Sequence, residues 1–180
     1  MQSLLPGVGT PRAVAAGLNA DVHPLLPALP SAQERARAQA AGAQALRDGK
    51  VGVILVAGGQ GSRLGYEGPK GIFALGPISG ASLFCIHARK ILALRRRYGA
   101  PVPFYIMTSA SNDAETRAFF AAQHYFGLPA DEVYFFQQGM FPALGTDGRI
   151  LMEAPDRLFM APDGHGGVLA ALHRTGMLDN

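Results

Sequence analysis

The sequence predicts an α/β fold built on a mostly parallel sheet. Three observations carry that prediction: an apolar run at 51–56, two further runs at 104–108 and 133–136, and helical patterns between them long enough for crossover connections. Val51, Val53, Ile54, Leu55 and Val56 have the nearly continuous apolarity of a strand covered on both faces, which predicts a central place in the sheet. With right-handed β-α-β-α-β linkage, ligands bind at the strand C-terminal ends. Gly58-Gly59, Thr108-Ser109 and Gln137-Gln138 are then expected on one rim.

Each element has a local reason. Residues 1–30 carry Pro6, Pro11, Pro24, Pro27 and Pro30, which limit any helix to a few turns, so they read as a loosely packed arm with a short helix at 12–19. Residues 31–180 read as one α/β domain. Ser31 and Glu34 have the spacing of a capping box for a helix that Gly49 ends. Gly71 to Leu75 is expected as a short strand, and Ser82 starts a helix whose Phe84, Ala88, Ile91 and Leu92 recur at helical spacing. His87 on that helix reads as an ordinary boundary histidine. Asn112 with Glu115 caps a helix expected to run to Tyr125. From Gly139 the pattern becomes that of a hairpin turning at Asp147-Gly148, followed by a strand near Phe159-Met160 and a helix from Val168 opened by Gly164-His165-Gly166-Gly167.

Composition removes several classes of function. The chain has 180 residues, 48% hydrophobic and 16% charged, enough for a globular domain with a core. Sixteen basic and thirteen acidic residues leave a net charge of only +3. The one dense basic cluster, Arg95-Arg96-Arg97, complements the dipole at a helix C-terminus and does not read as a nucleic-acid surface. No apolar span is long enough for a membrane helix, and the start lacks the pattern of a signal peptide. The single cysteine, Cys85, lies among apolar helix positions and reads as a structural thiol, consistent with a cytoplasmic location.

The chemistry concentrates directly after the first strand. Gly58, Gly59 and Gly61 let the backbone turn and approach a ligand closely, and successive N–H groups in such a turn form a concave anion site. Arg63 and Lys70 add two cations suited to a polyphosphate. The spacing excludes a P-loop, since Gly71 follows Lys70 where G-x-x-x-x-G-K-S/T is required. It also disfavours a dinucleotide fingerprint, because Leu64 stands at the third glycine and no acid follows about twenty residues on.

The pattern Gly58-Gly59-Gln60-Gly61-Ser62-Arg63-Leu64 followed by Pro69-Lys70 resembles the signature of the UDP-sugar pyrophosphorylase family. LVAGGQGSRLG, PKG, FYIMTS, HYFGL, FFQQGM and MAPDGHGG occur in that family's order, over roughly residues 35–179, and are most similar to its N-acetylhexosamine members. The resemblance implies a Rossmann-like nucleotide-diphospho-sugar transferase fold, incomplete at the C-terminus. It implies the reaction of UTP with a sugar 1-phosphate to give a UDP-sugar and pyrophosphate, with Mg²⁺ as cofactor and N-acetylglucosamine 1-phosphate as the sugar substrate. Carried onto matching positions, Val56, Ala57, Gly58 and Gly59 hold the nucleotide by backbone contacts, Arg63 and Lys70 engage the phosphates, Gln138 reads the uracil edge, and Gly164 and His165 lie beside uridine and sugar. His165 stands where N-acetylhexosamine members carry asparagine and glucose-type members carry G-H-G, which keeps glucose 1-phosphate as an alternative substrate. The family's chains continue beyond this one and there supply a metal-holding aspartate, a further lysine and most of the sugar pocket. The metal ligand is therefore not assigned, and a non-catalytic UTP-binding module is the competing reading.

Overall fold

The capping box forms as the spacing predicts: in the computed structural model, which describes residues 30–178, the Ser31 N–H donates to Glu34 Oε2 at 2.7 Å and the Glu34 N–H to Ser31 Oγ at 3.2 Å. It opens helix α1 (Ala32–Arg47), a polar helix with no buried residue. The arm and the short helix expected at 12–19 lie outside the described residues. By contacts the described residues divide into two compact units, one made of 30–38 with Phe141–Ala161 and the other of Gln39–Met140 with 162–178. All the candidate site residues belong to the second.

That second unit holds a three-stranded parallel sheet in the order β1 (Val53–Val56), β2 (Phe104–Thr108), β3 (Val133–Gln137). Cross-strand rows run Val53–Phe104–Val133, Ile54–Tyr105–Tyr134, Leu55–Ile106–Phe135 and Val56–Met107–Phe136. Alternation sends these rows to opposite faces. One face, with Phe104, Ile106 and Val133, packs on helices α2 (Leu83–Tyr98) and α3 (Asp113–Ala122) through Phe84, Ala88, Ile91 and Phe120. The other face, with Met107 and Phe136, packs on helix α4 (Val168–Arg174) through Ala171 and Leu172.

Helix α2 begins as its sequence predicts, with Ser82 Oγ accepting from the Cys85 N–H at 3.2 Å, and it ends at Gly99 with φ +70°. Cys85 is partly buried, as a structural thiol would be. Three expectations are corrected. β1 lies at an edge of this sheet and β2 at its centre, because both β1 and β3 pair only with β2. Residues 71–75 form no strand: Lys70–Ile72 is a single 3-10 turn, and Ala74 makes only an isolated bridge to Ser82. Helix α3 stops at Ala122, since His124, Tyr125 and Phe126 take left-handed φ values of 48°, 51° and 56°. Those uncommon conformations are held by Phe126 and Tyr125 packing on Phe119 and Phe120.

In the first unit the expected hairpin is present. Leu144 bridges Ile150 around the Asp147-Gly148 turn, where the Gly148 N–H donates to the Gly145 carbonyl at 3.0 Å. It is elaborated by β5 (Met152–Ala154) pairing antiparallel with β6 (Arg157–Leu158), and by a ribbon of β4 (Met140–Pro142) with β7 (Met160–Pro162).

Candidate functional site

The loop after β1 is pinned at its two ends and open in its middle. The Ala57 N–H donates to Met107 O at 2.7 Å, the last rung between β1 and β2. Beyond it, Lys70 N–H donates to Gly59 O at 3.1 Å and Gly61 N–H to Gly68 O at 2.8 Å, closing residues 60–69 into a loop. Among the described residues the backbone N–H groups of Gly58, Gly59 and Gln60 have no acceptor. Three successive free amides are a concave donor set for an anion. Lys70 projects into the same place: its Nζ lies 3.9 Å from where a Cβ on Gly59 would stand.

Two glycines here are demanded by close approach. A Cβ on Gly58 would lie 2.8 Å from both amide atoms of Gln138, so the glycine lets that side chain rest on the loop backbone. A Cβ on Gly71 would fall inside the Phe84 ring, so the turn carrying Lys70 seats directly on helix α2. Gln138 is itself fixed by its N–H, which donates to Thr108 O at 2.9 Å.

Beneath the rim is a polar brace that the sequence reading assigned otherwise. Asn112 occupies the N-cap position of α3, but its side chain makes no cap. Instead its Oδ1 accepts from the Ser109 N–H at 2.8 Å and its Nδ2 donates to the Ala57 carbonyl at 2.9 Å, tying the ends of β1 and β2 together. Thr108 Oγ1 donates to Asp113 Oδ1 at 2.5 Å, and Arg117 Nε bonds Asp113 Oδ2 at 2.7 Å. Burial pushes the Asp113 carboxyl up, but the bonds from Arg117 and Thr108 and the Arg117 charge outweigh it and hold it below its ordinary value. The signal that marked this group was its place: a Thr108-Ser109-Ala110-Ser111-Asn112 run at a parallel strand's C-terminal end, where α/β sheets bind ligands.

A cavity of about 200 Å³ with mostly apolar walls is lined by Val56, Ala57, Gly59, Lys70 and His165, together with Phe84. The structure thus gathers five of the nine predicted site residues around one space. Gly58 and Gln138 meet each other on the rim above. Arg63 sits exposed on the 3-10 turn Ser62–Leu64, and Gly164, with φ +58°, opens the turn into α4; neither lines that cavity. Asp163, just before Gly164, has a buried Oδ1 without a hydrogen-bond partner. Among the described residues no three His, Cys, Asp or Glu side chains come together as a metal cluster; Mg²⁺ at a polyphosphate takes only one or two carboxylates from the protein, and none is assigned to it here.

The sheet and its open loop define an α/β unit that offers backbone donors and an ammonium to an anion at the strand C-terminal ends. Residues 21–180 match the UTP--glucose-1-phosphate uridylyltransferase family, and the chain belongs to that family. It is 44% identical over 149 residues to UDP-N-acetylglucosamine diphosphorylase 1 of Arabidopsis thaliana, covering 77% of this chain and 30% of that protein. Against the UDP-N-acetylglucosamine pyrophosphorylase of Saccharomyces cerevisiae the identity is 43% over 135 residues, covering 73% and 28%. The crystal structure of the UDP-N-acetylglucosamine pyrophosphorylase of Trypanosoma brucei in complex with inhibitor superposes with a TM-score of 0.66 at 38% identity, covering 80% of this chain and 31% of that one. The chain therefore spans about a third of the length of these relatives.

Proposed function

We propose that this chain carries the nucleotide-holding part of a uridylyltransferase that forms a UDP-sugar and pyrophosphate from UTP and N-acetylglucosamine 1-phosphate. The observation that carries the reading is the row of free Gly58, Gly59 and Gln60 amides beside the Lys70 ammonium, in a chain of this family. In the reaction a sugar-phosphate oxygen bonds to the α-phosphorus of UTP as the bond from that phosphorus to the bridging oxygen of pyrophosphate breaks. Negative charge grows on the departing group. Free N–H donors and the Lys70 and Arg63 cations neutralise it without reorganising. Gln138 supplies an amide with both donor and acceptor, as the edge of uracil requires. His165 and Gly164 serve the uridine and sugar side. Mg²⁺, where bound, would supply charge neutralisation at the phosphates, and no residue of this chain is assigned to hold it. No helix among the described residues is long and apolar enough to cross a membrane, and the proposed setting is the cytoplasm. His165, standing in a Gly164-His165-Gly166 turn similar to that of glucose-type members, makes glucose 1-phosphate the second sugar to test.

Calorimetric titration with UTP and with ATP, each with Mg²⁺, tests the nucleotide reading. UTP is expected to bind in preference to ATP, and Lys70→Ala to weaken it by about 10- to 100-fold, the worth of one hydrogen bond to a charged group. Because Lys70 is exposed, the fold should survive the change. Equal UTP affinity in the variant would remove the assigned role. A pyrophosphate-release assay with both sugar 1-phosphates then separates a catalytic chain from a binding module.

A further inference from the structure

Gly61 does not serve the anion site as Gly58 and Gly59 do. Its N–H is spent on the Gly68 carbonyl, and it is buried although Gln60 and Ser62 on either side of it are exposed. What covers it is a side chain of the same loop. A Cβ on Gly61 would lie 2.8 Å from Tyr66 Cδ1, and a Cβ on Gly68 would lie 3.0 Å from Tyr66 Cε1. One edge of the Tyr66 ring therefore rests on both legs of the loop, beside the antiparallel bridge of Gln60 with Pro69. Glycine is needed at both contacts because a side chain there would displace the ring, and Gly68 also takes φ +139°, which other residues rarely adopt.

The ring is anchored outside the loop by Phe73, edge to face, with centroids 5.8 Å apart, a favoured aromatic geometry. Phe73 directly follows the turn Lys70–Ile72, and its N–H donates to Lys70 O at 3.2 Å. Lys70 is thus held from three sides: its N–H bonds the Gly59 carbonyl, Gly71 seats on Phe84, and Phe73 leans on Tyr66. A further tie of the loop is weaker. Gln60 Nε2 donates to Ser111 Oγ at 3.4 Å between two exposed residues, and such a bond contributes little against water.

We propose that Tyr66 is the positioning residue of the anion loop. Its ring is the form on which residues 60–69 close, so it fixes the spacing between the free Gly58, Gly59 and Gln60 amides on one leg and the Lys70 ammonium on the other. It acts through Lys70. That the anion so held is the phosphate chain of a nucleotide rests on the function proposed above; that the ring sets the loop does not.

Variants of the 180-residue chain test this by amide hydrogen exchange, UTP titration and melting temperature. Tyr66→Phe keeps the ring and should match wild type in all three. In Tyr66→Ala the Gly61 and Lys70 amides should exchange about 10-fold faster or more, and UTP should bind about 10-fold more weakly, the scale of one lost aromatic pair. The melting temperature should barely move, because Tyr66 and Phe73 stand outside the core clusters of the sheet. Gly61→Ala, at a backbone φ of −81° that alanine adopts freely, displaces the ring without removing it and should speed the same two amides. Lys70→Ala should cost less UTP affinity in the Tyr66→Ala chain than in wild type, the non-additivity of residues that act through one another. Unchanged exchange at Gly61 and Lys70 in Tyr66→Ala, damage from Tyr66→Phe equal to that from Tyr66→Ala, or strictly additive losses of affinity would overturn the assignment. So would faster exchange shared equally by the amides of the sheet, which would make Tyr66 a residue of general stability. No UTP heat in any chain, wild type included, alongside faster Gly61 and Lys70 exchange in Tyr66→Ala, would sink the nucleotide reading and uphold the ring's hold on the loop.

Discussion

Asn112 donates to the Ala57 carbonyl and accepts from the Ser109 N–H with a side chain only 1% exposed, so its two bonds are made out of reach of water. Its removal leaves a carbonyl and an amide unpaired, a cost of roughly 1–3 kcal/mol for each buried group. Asn112→Ala should therefore lower the urea midpoint and loosen the Gly58–Gln60 loop as well, weakening UTP binding. Asn112→Asp should be worse than Ala, because its carboxylate would face the Ala57 carbonyl. Equal stability of the wild-type and Ala proteins would show that the brace is dispensable. In sequence Asn112 has the spacing of an ordinary cap, and nothing local distinguishes a side chain that caps its own helix from one that reaches residue 57.

At the scale of elements, helix α3 is joined to the sheet by charge as well as by packing. Asp113 receives Thr108 from β2 and Arg117 from its own helix, and Arg117 continues to the Phe135 carbonyl of β3. The folded pKa of Asp113 lies below its ordinary 3.8, so the unfolded chain takes up its proton first as pH falls. Its contribution is then present above the unfolded value and is lost as pH drops through the folded one. Asp113→Asn should lower the melting temperature at pH 7 and flatten its decline below about pH 4; an acid limb identical to wild type would rule this out. The three strands of the parallel sheet, the Ser31 and Ser82 caps and the strand-to-helix order were legible in the sequence because each depends on neighbours within a few residues. The early end of α3 was not, since the left-handed His124–Phe126 turn is stabilised by rings of Phe119 and Phe120 whose positions only packing supplies.

Across the sheet-bearing unit, Phe120 is the common contact. It is fully buried and meets the rings of Phe84 from α2, Phe104 from β2, Phe126 from the left-handed turn and Phe135 from β3. Phe120→Ala should cost about 3–5 kcal/mol, the transfer and cavity terms together, read as a shift of the denaturation midpoint. A loss below about 1 kcal/mol, the size of a conservative core swap, would mean that the neighbouring rings collapse into the space. The opposite face of the sheet has no such centre: α4 covers Met107 and Phe136, Tyr105 packs beside them, and Ile54 is left 47% exposed.

The sequence by itself determined the α/β class, the parallel direction of the strands, the glycine loop and the family, because these are written in periodicity, glycine spacing and motif order. It also named Lys70, Gly59 and His165, which the fold brings to one cavity. Only the tertiary structure decided that β1 is an edge, that Asn112 braces the loop instead of capping a helix, and that Arg63 stands apart from the cavity. The physical reason is that the apolarity of a strand records how much of it is built to be covered, whereas which partner covers it, and whether a polar side chain turns to its own helix or across the sheet, depends on contacts between residues far apart in the chain.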